Sequence, residues 1–113
     1  MITIYHNPRC TKSREGLQIL ENSGKDFEVI KYLDEQISET KLKEIIRVLG
    51  IKPIDLVRKN EAIWKSDYKG QKLTDKEIIT AMVKHPKLIE RPIVVNNGKA
   101  VIGRPPCSII DII

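Results

Sequence analysis

The sequence predicts a single α/β domain with a mixed sheet of about four strands, on the strength of its length and two local patterns. At 113 residues, the chain has the size of one domain with one hydrophobic core. It opens with a strand, a helix and a second strand, an order typical of a parallel pair. Near its end, Asn97-Gly98 separates two apolar runs and supplies the positive φ angles of a tight antiparallel hairpin.

The opening unit is predicted from residue types and spacing. Residues 2–5 are β-branched or aromatic and run into a His-Asn-Pro turn signal, so they form the first strand. Apolar residues at helical spacing predict a helix from Thr11 to about Asn22, with Gly24 as a natural stop. Residues 27–32 are predicted as the second strand.

Helices are expected between the second and third strands. Ser38 caps a predicted helix that ends before Gly50, and a shorter helical piece follows Pro53. The periodicity fades over residues 58–73, which predicts a loop. Thr74 begins another helix that His85-Pro86 closes, with four residues expected to be buried: Ile78, Ile79, Met82 and Val83.

The C-terminal part is predicted as the hairpin and one last helix. Residues 92–95 and 99–102 are the hairpin strands. Residues 108–113 are predicted as a helix whose apolar residues are Ile109, Ile110 and Ile113.

The composition narrows the function classes. A hydrophobic share of 41% and a charged share of 31% are ordinary for a globular protein. No apolar run is long enough to cross a bilayer and no signal peptide is recognisable, so we expect a cytoplasmic protein without a membrane partner. In that compartment, Cys10 and Cys107 would both be thiols. No apolar stripe is long enough to indicate an obligate interface, so we expect a monomer.

The formal charge of +5 would fit nucleic-acid binding, but basic and acidic residues alternate and aromatic residues make up only 4%. We expect no nucleic-acid partner and interpret the charge as a mild field that attracts small anions. The histidines and cysteines show no paired ligand spacing, so no metal site is expected.

The chemically informative residue is Cys10, which follows the first strand and precedes the first helix. A helix N-terminus and nearby cations favour the thiolate, the nucleophilic form of cysteine. The cationic side chains near it are His6, Arg9, Lys12 and Arg14. The free backbone N–H groups predicted to hold an oxyanion beside the sulfur belong to Thr11, Lys12, Ser13 and Arg14.

Four motifs in order resemble the glutaredoxin-coupled arsenate reductase (ArsC) family. They are HNPRCTKSR at residues 6–14, LVRKNE at 56–61, HPKLIERPIVV at 85–95 and GRPP at 103–106. NPRC and GRPP are closest to a chromosomal branch of that family. The resemblance covers essentially the whole chain and implies a thioredoxin-like core with a helical insertion after the second strand.

The resemblance also implies roles for individual residues. Cys10 matches the catalytic cysteine, and His6 matches a histidine that assists ionisation of the thiol. Three matching arginines would hold the oxyanion, namely Arg58, Arg91 and Arg104, and the planar guanidinium suits tetrahedral oxyanions. The Arg91-Pro92 bond falls where thioredoxin-like folds place a cis proline.

By the same resemblance, Cys10 attacks arsenate, glutathione displaces the adduct as cosubstrate, and a glutaredoxin resolves the mixed disulfide with release of arsenite. No tightly bound cofactor is expected. An external thiol is required, because Ser13 stands where a Cys-x-x-Cys motif would have its second cysteine. Cys107 is interpreted as a bystander, with resolution of the mixed disulfide as the alternative.

A second hypothesis comes from a related, Spx-like branch of redox-sensing regulators that bind RNA polymerase. Those regulators typically carry a Cys-x-x-Cys pair, which Ser13 breaks here.

Overall fold

The computed structural model describes residues 1–113 and contains a four-stranded mixed sheet in the order β2-β1-β3-β4. The strands are β1 Ile2–Tyr5, β2 Phe27–Ile30, β3 Ile93–Asn96 and β4 Lys99–Ile102. β1 pairs in parallel with β2 and antiparallel with β3, and β3 pairs antiparallel with β4. The predicted mixed sheet is confirmed.

Four α-helices and three short 3₁₀ helices complete the chain. The α-helices are α1 Thr11–Asn22, α2 Glu39–Leu49, α3 Ala62–Asp67 and α4 Asp75–Lys84. The 3₁₀ helices are Pro53–Leu56, Pro86–Leu88 and Pro106–Ile112. None of these helices combines the length and the apolar character that a membrane span requires.

The chain forms two compact units, which we call the sheet unit (residues 1–35 and 91–113) and the helical unit (residues 36–90). In the sheet unit, α1 packs against the C-terminal 3₁₀ helix, and that helix also packs against β4. The core residues of this unit are Ile2, Ile4, Leu20, Val94 and Ile109. The predicted turn between β3 and β4 is confirmed, because Asn97 and Gly98 have φ angles of 47° and 81°.

In the helical unit, α4 packs against α2 and against two of the 3₁₀ helices. The Ser38 hydroxyl accepts a hydrogen bond from the Lys41 amide at 3.1 Å and caps α2 as predicted. Gly50 ends α2 in the left-handed conformation. On α4 the buried residues are Ile78, Ile79, Ala81 and Met82, whereas Val83 is only partly buried, so its predicted burial was wrong.

Four predicted elements differ from the structure in extent. β3 spans Ile93–Asn96 instead of the predicted residues 92–95. Residues 58–73 were predicted as a loop, but α3 lies within them, and its six residues are too few to show helical periodicity. β2 ends at Ile30, two residues before its predicted end. The last helix is a 3₁₀ helix that begins at Pro106, and Ile110 on it is 60% exposed instead of packed.

Candidate active site

The loop between β1 and α1 is folded by its own hydrogen bonds so that Cys10 becomes the N-cap of α1. The Cys10 amide donates to the Asn7 carbonyl at 3.0 Å, and the Arg9 amide donates to the Asn7 side-chain oxygen at 3.0 Å. Asparagine commonly holds a turn in this way. Cys10 is extended, with φ −95° and ψ 125°, and is partly exposed. The thiol therefore lies at the positive end of the helix dipole.

The first turn of α1 supplies three backbone donors at this end. The amides of Thr11, Lys12 and Ser13 come before the first intrahelical donor, so they have no acceptor within the helix, as at any helix start. The amide of Arg14 donates to the Cys10 carbonyl at 3.0 Å, so the prediction that it is free for an oxyanion was wrong. The reason is that the N-cap carbonyl already accepts the first helical hydrogen bond.

Two cationic side chains of this turn make local contacts. The Arg14 guanidinium donates to the Pro8 carbonyl at 3.0 Å and to the Thr11 hydroxyl at 3.3 Å, and so braces the loop against the helix. Lys12 Nζ lies 3.8 Å from a Glu15 carboxylate oxygen in an exposed pair, a kind of pair that contributes little to stability. The oxyanion-binding roles of Lys12 and Arg14 stay predictions.

His6 and Ser13 form a buried polar contact behind Cys10. His6 is 4% exposed and Ser13 is fully buried. His6 Nδ1 and Ser13 Oγ lie 2.6 Å apart and share a hydrogen bond, and the Asn7 amide donates to the same oxygen at 2.9 Å. The His6 amide donates to the Ile30 carbonyl at 2.9 Å. The loop is thus tied to both β2 and α1.

Burial is the main cause that lowers the pKa of His6 below its ordinary value, and the positive charges of Lys31 and Arg14 lower this pKa further. A hydrogen bond to the Ser13 backbone acts in the opposite direction. These surroundings therefore favour the neutral form of His6 in the folded protein. The role in thiol ionisation that the resemblance implies for it stays a prediction.

Arg104 contacts the nucleophile directly. Its Nη2 atom lies 3.6 Å from Cys10 Sγ, with Arg104 as the donor. Its Nε atom donates to the Arg91 carbonyl at 3.0 Å. A guanidinium carries several N–H donors in one plane, a geometry that suits hydrogen bonding to a tetrahedral oxyanion.

Pro92 packs closely against Gly16 on α1. The Arg91–Pro92 bond is cis, as predicted, and the Arg104–Pro105 bond is also cis. Arg91 itself is 9% exposed. A Cβ atom on Gly16 would lie 2.9 Å from Pro92 Cγ and 2.9 Å from Ile109 Cδ1.

Gly103 approaches Pro92 in the same way, since a Cβ atom there would lie 2.8 Å from Pro92 Cγ. The Gly103 amide also donates to the Pro92 carbonyl at 2.8 Å. Our reading of the sequence missed Gly16, although a glycine inside a helical pattern is a signal for such close packing.

Arg58 belongs to the helical unit. Its Nε atom lies 3.2 Å from a Glu90 carboxylate oxygen, and both side chains are about one-quarter exposed. The Arg58 amide donates to the Leu88 carbonyl at 2.7 Å, and the Glu90 amide donates to the Leu56 carbonyl at 2.8 Å. This short antiparallel pairing holds Arg58 and Glu90 side by side. Oxyanion binding by Arg58 and Arg91 stays a prediction.

The second cysteine, Cys107, is a free and exposed thiol near the start of the C-terminal 3₁₀ helix. It lies three residues after Arg104. Neither the bystander role nor the resolving role follows from this placement.

Comparison with known proteins identifies the family. The sequence model of the ArsC family matches residues 5–112, a range that includes every residue of the site described above. The chain belongs to the ArsC family. The arsenate reductase of Haemophilus influenzae is 41% identical over 114 residues, which cover 99% of this chain and 98% of that protein. The uncharacterized protein YfgD of Escherichia coli K12 is 43% identical over 114 residues, covering 99% and 96%.

The solved structures agree with this assignment. The arsenate reductase from Vibrio cholerae superposes with a TM-score of 0.95 at 46% identity, covering 99% of this ArsC-family chain and 97% of that one. The thioredoxin-like fold implied by the four motifs is thereby confirmed.

Proposed function

We propose that this ArsC-family chain reduces arsenate to arsenite with Cys10 as the nucleophile. The observation that carries the proposal is the contact between Arg104 Nη2 and Cys10 Sγ at 3.6 Å. A cation at the sulfur stabilises the thiolate, and a guanidinium is a strong hydrogen-bond donor to an oxyanion that reacts there. Support also comes from the relatives, because the Haemophilus and Vibrio proteins are named arsenate reductases.

In the first step, the Cys10 thiolate attacks the arsenic atom of arsenate. A sulfur–arsenic bond forms, an arsenic–oxygen bond breaks, and the oxygen leaves as water after protonation. The backbone amides of Thr11, Lys12 and Ser13 and the three arginines Arg58, Arg91 and Arg104 bind the oxyanion in this proposal. Arginine suits this task because it stays charged throughout.

In the second step, the thiolate of glutathione attacks the sulfur of the adduct. A disulfide bond forms between glutathione and Cys10, and the sulfur–arsenic bond breaks with its electron pair remaining on arsenic, which becomes arsenite. The two sulfur atoms are oxidised by two electrons in total, and arsenic is reduced by two. A glutaredoxin then reduces the mixed disulfide and regenerates Cys10.

An external thiol is part of the proposal because position 13 carries a buried serine that cannot form a disulfide with Cys10. Glutathione and glutaredoxin belong to the reducing cytoplasm, where we place the chain as a monomer. We assign Cys107 the role of bystander.

The experiment is arsenate-dependent oxidation of NADPH with glutathione, glutathione reductase and a glutaredoxin. The wild type should turn over, Cys10→Ser should be inactive, and Cys107→Ser should match the wild type. A loss of turnover in Cys107→Ser would assign the resolving role to Cys107. An inactive wild type whose Cys10 still alkylates rapidly would overturn the reductase proposal in favour of the redox regulator.

A further inference from the structure

The Ser13 hydroxyl is buried behind the nucleophile, and the reaction proposed above uses only the Ser13 amide. Its Oγ atom joins two groups of the preceding loop, since it lies 2.6 Å from His6 Nδ1 and 2.9 Å from the Asn7 amide nitrogen. All three residues are at most 6% exposed. Buried polar groups are costly unless they are paired, so this contact defines the local geometry.

We propose that Ser13 is a positioning residue for Cys10, acting through Asn7, and that His6 holds the Ser13 hydroxyl in place. The inference rests on the proposed function, in which Cys10 is the nucleophile. The path is short: Ser13 Oγ accepts from the Asn7 amide, and the Asn7 carbonyl accepts from the Cys10 amide at 3.0 Å. Loss of the hydroxyl would therefore release the loop whose turn places Cys10 at the helix N-terminus.

His6 performs this task as an uncharged ring. It is 4% exposed, and the charged groups that face it are Lys31, after β2, and Arg14, on α1. Both are cations, so they oppose protonation of the ring. His6 then acts through its hydrogen bond to Ser13 and through the space that its ring fills, and not through a charge. An asparagine at position 6 offers both a donor and an acceptor near the position of Nδ1 and could make the same contact.

The test compares Ser13→Ala, His6→Ala and His6→Asn by the rate at which Cys10 reacts with iodoacetamide at pH 7, in a Cys107→Ser background. Ser13→Ala and His6→Ala should each slow alkylation by about tenfold, because a misplaced nucleophile loses its favourable electrostatic surroundings. The double variant should be about as slow as either single variant, because both remove one interaction. His6→Asn should stay within about threefold of the wild type.

In the arsenate assay, Ser13→Ala should lower kcat by about tenfold and change the KM for arsenate by less than about twofold, since the arginines are untouched. The matched control is Ser23→Ala, which removes the hydroxyl that donates to the Leu20 carbonyl at 2.6 Å at the far end of α1. That variant should lose stability but keep the wild-type alkylation rate.

Two results would overturn the inference: wild-type alkylation by Ser13→Ala, or a His6→Asn variant as slow as His6→Ala. Should the variants fail to fold, the His6 ring of the wild type can be observed by ¹⁵N NMR at pH 7. A ¹⁵N shift that shows Nδ1 in a hydrogen bond supports the inference, and an Nδ1 atom without a hydrogen bond overturns it. The alkylation assay requires no arsenate. A wild type without arsenate reductase activity would refute the proposed function, but the alkylation rates of the Ser13 and His6 variants would still decide the role of Ser13.

Discussion

Arg104 connects Cys10 to Arg91, the residue before cis Pro92. Arg104 Nη2 lies 3.6 Å from Cys10 Sγ, and Arg104 Nε donates to the Arg91 carbonyl at 3.0 Å. The contact with sulfur stabilises a thiolate more than a thiol. Arg104→Ala should therefore slow the alkylation of Cys10 by iodoacetamide at pH 7 by about three- to tenfold, a modest factor because Arg104 is exposed.

The control for Arg104 is Lys99→Ala, which removes an exposed positive charge from β4 in the same unit. This variant should alkylate at the wild-type rate. Equal rates in the two variants would show that Arg104 acts only through the net charge of the protein.

Arg58 is held beside Glu90 by a 3.2 Å ion pair, which aligns its guanidinium. If Arg58 binds the oxyanion, Arg58→Ala should lower kcat/KM for arsenate by about 10- to 100-fold, the usual cost of one charged hydrogen-bonding partner. Glu90→Gln should have a smaller effect in the same direction. Arg47→Ala on α2 removes an exposed arginine of the same unit and should be neutral. A normal kcat/KM in Arg58→Ala would remove Arg58 from the site.

Gly16 leaves no room for a methyl group, because its Cβ atom would lie 2.9 Å from both Pro92 Cγ and Ile109 Cδ1. Gly16→Ala should lower the free energy of unfolding by about 1–3 kcal/mol through overpacking. Helix propensity acts in the opposite direction by about 1 kcal/mol. The control is Glu21→Ala, on the exposed face of α1, which should change the free energy of unfolding by less than about 0.5 kcal/mol. Urea unfolding measures the stability of both variants. A Gly16→Ala variant more stable than the wild type would contradict the close packing at Gly16.

The lowered pKa of His6 predicts a pH dependence of stability. The folded state disfavours the proton, so the unfolded chain binds more protons once the pH falls toward the ordinary histidine value of about 6.5. The contribution of His6 to the stability of the folded state is present above that pH and is lost as the pH falls below it. The wild type should lose more Tm than His6→Asn between about pH 7.5 and about pH 5.5. Parallel Tm curves would contradict the assigned direction.

Much of the sheet unit could be predicted from the sequence because its signals are local. The β-branched run of β1, the helical spacing of α1 and the Asn97-Gly98 turn each depend on neighbouring residues. α3 could not be predicted, since Trp64 is its only buried residue and one residue defines no period.

The candidate site was predictable only in part. The placement of Cys10 at a helix start follows from the order of local elements. Arg104 contacts Cys10 across 94 residues of chain, and only the family resemblance suggested that they act together. The hydrogen bond between His6 and Ser13 depends on side-chain directions in the folded loop, which no local sequence pattern encodes.

The proposed role of Cys10 can be tested by incubating the protein with arsenate and glutathione without glutaredoxin, and locating bound glutathione by mass spectrometry of peptides. A mixed disulfide should form on the peptide that contains Cys10, and only when arsenate is present. Glutathione on Cys107, or on Cys10 to the same extent without arsenate, would contradict it.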